Sequence, residues 1–225
     1  MNAVITGASR GLGLALVSRF AARPESRIFA VARDPQGSEE LAEAVKAAEG
    51  RITVVRADVA APDAGETIAA ATGSATIDLL INNAGTSGTR AELGAFTQAD
   101  LIDLFTINTF APLLIAQALR PKLAEHAKIV NITSVLGSIE RAGPGYFAYG
   151  ASKAALNMIT RKLAAEMPGI AVLSLHPGWV RTRMGGPGAA IDVATSADGM
   201  VRVIDAFDAS ASGAYLAYDG STIPW

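Results

Sequence analysis

The 225-residue sequence predicts an α/β fold: a doubly wound parallel sheet of about seven strands with helices on both faces. Three observations predict it. Short apolar runs, often β-branched, alternate with segments of helical periodicity. A glycine-rich turn follows the first strand and opens the first helix. No linker, repeat or composition break divides the chain, so residues 1–225 read as one domain.

The elements follow in chain order. Ala3–Ile5, Ile28–Ala32, Ile52–Arg56 and Ile77–Ile81 are apolar and short, as strands covered on both faces should be. Leu12–Ala22, Glu39–Ala48 and Ala64–Ala71 carry helix formers with apolar residues at helical spacing, and Gly50 and Gly73 stop the last two. Gln98–Ala124 reads as one long helix and Ile129–Ile132 as the next strand. Tyr149–Ala165 is a helix with Pro168 behind it. Ile170–Leu175, Ala197–Phe207 and Ala214–Ala217 close the alternation as strand, helix and strand. Gly185–Gly188 is the candidate mobile loop, and Arg183–Ser196, with little helical pattern, the candidate substrate lid.

Half of the residues are hydrophobic and 18% are charged, enough for a sizeable core. A net charge of −2 with no long run of one sign argues against nucleic acid or a basic membrane surface as partner. The absence of cysteine excludes disulfides, a thiol nucleophile and cysteine metal sites. His126 and His176 have no metal-ligand spacing, so no metal is expected. His126 is expected near a helix C-terminus, and His176 as a structural residue at a strand end. No apolar run reaches the roughly 18 residues of a membrane span. Met1 leads straight into Ala3-Val4-Ile5, with no basic segment or cleavage site. A cytoplasmic location is the expectation.

Thr6-Gly7-Ala8-Ser9-Arg10-Gly11-Leu12-Gly13 stands at the first strand–helix junction. Glycine lets backbone approach a phosphate, and the helix N-terminus supplies N–H groups and a positive dipole end. The spacing is G-x-x-x-G-x-G, not the commoner G-x-G-x-x-G. Arg33 follows the second strand, where an acidic residue would bond a ribose 2′-hydroxyl and an arginine suits a 2′-phosphate. Arg10 could reach the same group. NADP(H) is therefore the preferred cofactor, with NAD(H) as the alternative.

Tyr149 and Lys153 lie four residues apart, on one face of a helix. A nearby ammonium lowers a phenol's pKa from about 10 and makes a proton donor and acceptor for use near neutral pH. Alone, such a pair is weak evidence.

Thr6–Gly13, Asn82-Asn83-Ala84-Gly85, Asn108, Ser134, Tyr149/Lys153 and Pro177-Gly178 together resemble the short-chain dehydrogenase/reductase family in order and spacing, over essentially the whole chain. Leu136-Gly137-Ser138-Ile139, His176-Pro177-Gly178-Trp179-Val180 and Ile223-Pro224-Trp225 look closer to its branch of small carbonyl reductases and C-factor-like proteins. The resemblance implies a Rossmann-type fold and a catalytic set of Asn108, Ser134, Tyr149 and Lys153. Tyr149 would be the general acid/base, helped by the positive nicotinamide of the oxidised cofactor. Lys153 would hold the nicotinamide ribose, so it and Tyr149 count among the cofactor contacts too. Ser134 would position the substrate oxygen, and Asn108 would hold a water that links Lys153 to solvent. Pro112, four residues on, frees a carbonyl there and kinks the helix.

The resemblance also implies cofactor contacts from Gly7, Ala8, Ser9, Arg10, Gly11, Leu12, Gly13, Arg33, Asp58, Val59, Asn83, Ala84, Gly85, Pro177, Gly178, Val180 and Thr182. Asn82 is expected to tie neighbouring strands together. Ser134 and Tyr149 stand slightly further apart than is usual in the family, because Ser138–Tyr146 is longer. Leu136, Tyr146, Phe147, Trp179 and Met184 are the candidate substrate wall, apolar and at strand C-terminal ends. With no paired arginines to hold an anion, the expected substrate is an apolar aldehyde, ketone or quinone, or the matching alcohol. The runner-up is a nucleotide sensor or signalling protein on the same fold. The two long helices could pack a homodimer or tetramer, or simply the sheet.

Overall fold

The structure, a computed structural model, describes residues 1–88 and 93–225. Its strands are β1 (Asn2–Thr6), β2 (Arg27–Ala32), β3 (Ile52–Arg56), β4 (Ile77–Asn82), β5 (Leu123–Ile132), β6 (Ala171–His176) and β7 (Ala214–Ala217). The α-helices are α1 (Gly11–Ala21), α2 (Glu39–Ala47), α3 (Ala64–Ala71), α4 (Gln98–Phe105), α5 (Ala111–Leu119), α6 (Phe147–Glu166) and α7 (Val193–Ala206). All strand pairs are parallel, in the order β3-β2-β1-β4-β5-β6-β7.

Alternate side chains of each strand face opposite layers. Ala3, Ile5, Ile28, Ala30, Leu79 and Ile81 pack with Leu16, Phe20, Leu41 and Met200 of α1, α2 and α7. Val4, Phe29, Val31, Leu80 and Ile129 pack with Ile68, Ile115 and Leu119 of α3 and α5. Each such fully buried Leu, Ile or Phe contributes roughly 1.5–3 kcal/mol. The sheet is therefore covered on both faces, which explains why its strands read as unbroken apolar runs. The strand order reverses between β1 and β4, and in an open α/β sheet such a reversal is where a crevice forms beyond the strand C-terminal ends.

Several elements differ from expectation. The long helix does not run from Gln98 to Ala124 as a single α-helix. It passes through a π turn at Thr106–Phe110, where the Ala111 N–H reaches back to the Thr106 carbonyl. It then closes in a 3-10 turn at Arg120–Lys122. Pro121 has no N–H to continue the helix, and Leu123 turns extended to pair with Ile77. β5 thus begins six residues before Ile129, because pairing with β4 overrides the helix propensity of Ala124 and Glu125. His126 consequently lies exposed on β5 and not near a helix C-terminus. The lid segment also shortens. α7 starts at Val193, where the Asp192 side chain accepts from the Thr195 N–H and caps the helix. That cap sits five residues before Ala197, where the helical pattern becomes visible in the sequence.

Within the continuous helical stretch Gln98–Lys122, an 18-residue window has a mean hydropathy of 1.5, and by length and composition the stretch could cross a membrane. Here it closes one face of the core: a methyl placed on Gly65 of α3 would stand 2.9 Å from the Ala118 side chain.

Candidate active site

Glycine shapes the first wall of the crevice. Gly7 has φ +68°, and a methyl there would meet Ala84 Cα and Asn83 Nδ2, each at 2.9 Å. A methyl on Gly13 would stand 2.2 Å from the Gly7 carbonyl oxygen. The β1–α1 loop and the end of β4 therefore touch backbone to backbone. Asn83 Nδ2 donates to the carbonyls of Thr6 (2.9 Å) and Gly7 (3.3 Å), and Thr6 Oγ1 accepts from the N–H groups of Asn83 and Ala84, each at 3.0 Å. Asn83 and Thr6 thus brace the loop with their side chains, a role the sequence reading did not assign. The Ala8 N–H is used by the Val31 carbonyl at 3.0 Å, so this residue ties the loop to β2.

Ser38, Thr97 and Asp192 cap α2, α4 and α7 with side-chain oxygens, whereas α1, like α3, α5 and α6, has no side-chain cap. An uncapped helix start behind a loop in which Gly7 and Gly13 leave no room for a Cβ suits a phosphate group. Beside it, Arg10, Gln36, Gly37, Ser38, Glu39 and Glu40 line an open hollow of about 440 Å³. The Ser38 hydroxyl donates to the Ser9 carbonyl at 2.5 Å. Arg33 projects from the end of β2 with its side chain 73% exposed, 3.8 Å from Asp58 at the end of β3. Asp58 also accepts from the Ala60 N–H, next to Val59.

The second wall carries the chemistry. Tyr149 and Lys153 lie in the first two turns of α6, with Lys153 Nζ 5.9 Å from the Tyr149 ring centre. Lys153 is 4% exposed and donates to the Ile132 carbonyl at 2.8 Å. Burial lowers its pKa from 10.5 to about 8. Burial also raises the Tyr149 phenol, and a hydrogen bond with Ser134 opposes that rise. Here desolvation outweighs any lowering by Lys153, contrary to the simple pair argument. Ser134 follows the end of β5 by two residues and opens a short turn, its hydroxyl accepting from the Leu136 N–H at 3.2 Å.

Asn108 sits fully buried in the π turn. Its side chain accepts from the Thr86 N–H (2.9 Å) and donates to the Thr86 carbonyl (2.8 Å) and the Ser152 hydroxyl (3.1 Å). The side chain is thus engaged in joining the loop after β4 to α6. The feature that suits a water is the Asn108 carbonyl, whose usual partner four residues on would be Pro112, which has no N–H.

The two walls meet at two places. A methyl on Gly85 would stand 3.3 Å from Asn108 Oδ1 and 3.7 Å from Lys153 Nζ. A methyl on Gly11 would lie 3.6 Å from Thr182. Pro177 accepts from Ser196, and Gly178 (φ +84°) packs where a Cβ would meet Ile191 and Tyr218. Val180 bridges Ile191. Asn82 ties β4 to β5 through Asn131 Oδ1 at 2.9 Å and to α5 through the Pro112 carbonyl. His176 behaves as a structural residue: its Nδ1 accepts from the Val135 N–H at 3.2 Å, and burial lowers its pKa to about 4.

The wall candidates are all open to solvent: Leu136, Tyr146, Phe147, Trp179 and Met184. Phe147 pairs with Phe96, ring centres 6.3 Å apart, and Phe96 is an aromatic the sequence reading passed over. Trp179 Nε1 donates to the Gly185 carbonyl at 2.9 Å, and the Gly186 N–H to the Thr182 carbonyl, so these bonds hold the Gly185–Gly188 loop. Tyr146 takes a left-handed conformation (φ +50°) at the start of α6, where its carbonyl accepts from Gly150. Among the described residues no group of three His, Asp or Glu gathers to hold a metal ion.

Residues 1–190 match the family model described as short chain dehydrogenase. A curated relative, the C-signal of Myxococcus xanthus, is 42% identical over 154 residues, covering 66% of this chain and 93% of its own. Among solved structures, carbonyl reductase Sniffer of Drosophila melanogaster superposes with a TM-score of 0.94 at 33% identity, over 100% of this chain and 99% of that one. The NADPH-bound carbonyl reductase from chicken fatty liver gives 0.91 at 35% identity, over 100% and 98%.

Proposed function

The chain belongs to the short-chain dehydrogenase family, and on that premise we propose that it is an NADP(H)-dependent oxidoreductase interconverting an apolar aldehyde, ketone or quinone and its alcohol. One observation carries the reading. Asn108, Ser134, Tyr149 and Lys153, scattered along the chain, gather beside a glycine cradle at the strand-order reversal. The NADPH in the chicken enzyme's structure supports the choice of cofactor.

In this reading, Gly7–Gly13 would receive the pyrophosphate, Arg33 and Arg10 a 2′-phosphate, Asp58 and Val59 the adenine. Asn83–Gly85 with Pro177, Gly178, Val180 and Thr182 would border the rest. When bound, NADPH supplies the hydride. Ser134 donates a hydrogen bond to the substrate oxygen, and Tyr149 gives it a proton in reduction. A phenol held above its ordinary pKa is protonated at neutral pH, as the acid of a reduction must be. Lys153, with a water held on the Asn108 carbonyl, would then return a proton to Tyr149 from solvent. The exposed apolar wall suits an uncharged substrate. Residues 1–225 act as one domain in the cytoplasm. A homodimer or tetramer is the matching assembly, since Ile102, Phe110, Leu114 and Met158 stay exposed on the long helical segments.

A second reading, a nucleotide-binding signalling protein with little turnover, draws on the 42% identity to the C-signal. NADPH consumption against a panel of aldehydes, ketones and quinones separates the two. Turnover is expected to fall about 10²- to 10⁴-fold in Tyr149→Phe with NADPH binding retained. Tight NADPH binding without turnover across the panel would favour the signalling reading.

A further inference from the structure

Ser134 lies two residues beyond Ile132, the last residue of β5, so the β-ladder supports it only from the N-terminal side. On that side the Thr133 N–H donates to the Leu175 carbonyl at 2.9 Å. On the other side two groups with no part in the proposed chemistry grip the peptide between Ser134 and Val135. The Tyr215 hydroxyl donates to its carbonyl oxygen, and His176 Nδ1 accepts from its N–H at 3.2 Å. The two come from adjacent strands: Ser174 pairs with Tyr215 and His176 with Ala217. From α6, Asn157 Nδ2 donates to the Gly137 carbonyl at 3.1 Å and pins the end of the same turn.

Resting on the carbonyl-reductase reading, we propose that Tyr215 and His176 are positioning residues: by clamping the Ser134–Val135 peptide they aim the Ser134 hydroxyl at Tyr149 and the substrate oxygen.

The chemistry of both groups suits a permanent clamp. Tyr215 is 1% exposed, and burial raises its pKa to about 12, so its hydroxyl stays a donor. His176, lowered to about 4 by burial with Asp219 opposing and Arg141 assisting, stays a neutral acceptor. The end of the chain backs the clamp. The Trp225 ring stands 5.2 Å from the Tyr215 ring, and Pro224 accepts from the Ser138 hydroxyl at 2.6 Å. The Trp225 carbonyl accepts from the N–H groups of Ile139 and Glu140. The final residues thus hold Tyr215 from behind and the turn after Ser134 from outside.

The test is a double-mutant cycle with a second readout that needs no turnover. Tyr215→Phe keeps the ring and its packing on Trp225. It is expected to lower kcat about 10- to 100-fold with little change in NADPH affinity, since misplacing a reacting group by about an ångström costs up to roughly that much. In a Ser134→Ala background the same substitution is expected to change kcat less than about 2-fold, because the group it positions is gone. His176→Leu should follow Tyr215→Phe, while His176→Asn, whose Oδ1 can accept in place of Nδ1, should recover most of the activity. Amide hydrogen exchange at Val135 and Leu136, free of any assumption about substrate, should accelerate in Tyr215→Phe and His176→Leu. Equal losses in both backgrounds, or unchanged exchange at both amides, overturns the clamp. If the wild-type protein reduces no carbonyl, the proposed function fails and hydrogen exchange alone decides the clamp.

Discussion

Between Thr6 and Gly13 the crevice is walled by backbone, with glycines pressed against Ala84 and against one another. From Ile132 to Lys153 it is walled by side chains, with Ser134, Tyr149 and Lys153 held by hydrogen bonds to strand ends and helices. The difference teaches where each half is vulnerable. A backbone wall fails by steric intrusion, when an added methyl pushes the loop away from a ligand. A side-chain wall fails by loss of a group or a change in its charge, while the loop beside it keeps its shape.

The largest effect that would sharpen this contrast belongs to Lys153. With a folded-state pKa of about 8 against 10.5, the folded protein gives up the lysine proton before the unfolded chain does. The unfolded chain then binds more protons between those values, so stability rises with pH across about 8 to 10.5 and is flat in this respect below 8. The gain, on the order of 3 kcal/mol, should be absent in Lys153→Met when urea unfolding is compared at pH 7.5 and 10.5. An equal rise in both proteins would show that Lys153 is not held in a charge-hostile site.

Gly13→Ala tests the other wall. Its methyl meets backbone, which yields poorly, so NADPH affinity is expected to drop about 10- to 100-fold in a fluorescence titration. Binding as tight as wild type would break the picture of a closely packed cradle.

Arg33→Ala should act only on the 2′-phosphate. NADPH is expected to bind about 10-fold more weakly and NADH to change less than about 2-fold, as suits one exposed charge-assisted contact. Parallel losses for both cofactors would mean that Arg33 serves the loop and not the phosphate.

The smallest effect concerns the outer wall. Trp179→Ala is expected to raise KM for an aromatic ketone about 3- to 10-fold with kcat nearly unchanged, because an exposed ring contributes about 1 kcal/mol of contact. A loss in kcat would instead implicate the bond to Gly185, and with it the Gly185–Gly188 loop, in the chemistry.

The chain's order of short apolar runs and helical segments by itself determined the parallel sheet, because strands covered on both faces must be apolar throughout. Local chemistry likewise made the glycine loop legible, and the spacing of Tyr149 and Lys153 placed both on one helix face. Tertiary structure decided what depends on partners distant in sequence. β5 reached back to Leu123 because Ile77 offered it a ladder, so a helical composition yielded to strand pairing. Asn83 became a brace and Asn108 a junction because Gly7 and Thr86 came to lie beside them. The net effect on the Tyr149 phenol was set by burial, which no four-residue spacing reveals. Tyr215 and Trp225 came to stand behind Ser134 because β7 pairs beside β6. Spacing along a chain encodes which residues share a face, but desolvation and long-range hydrogen bonds exist only once the faces have met.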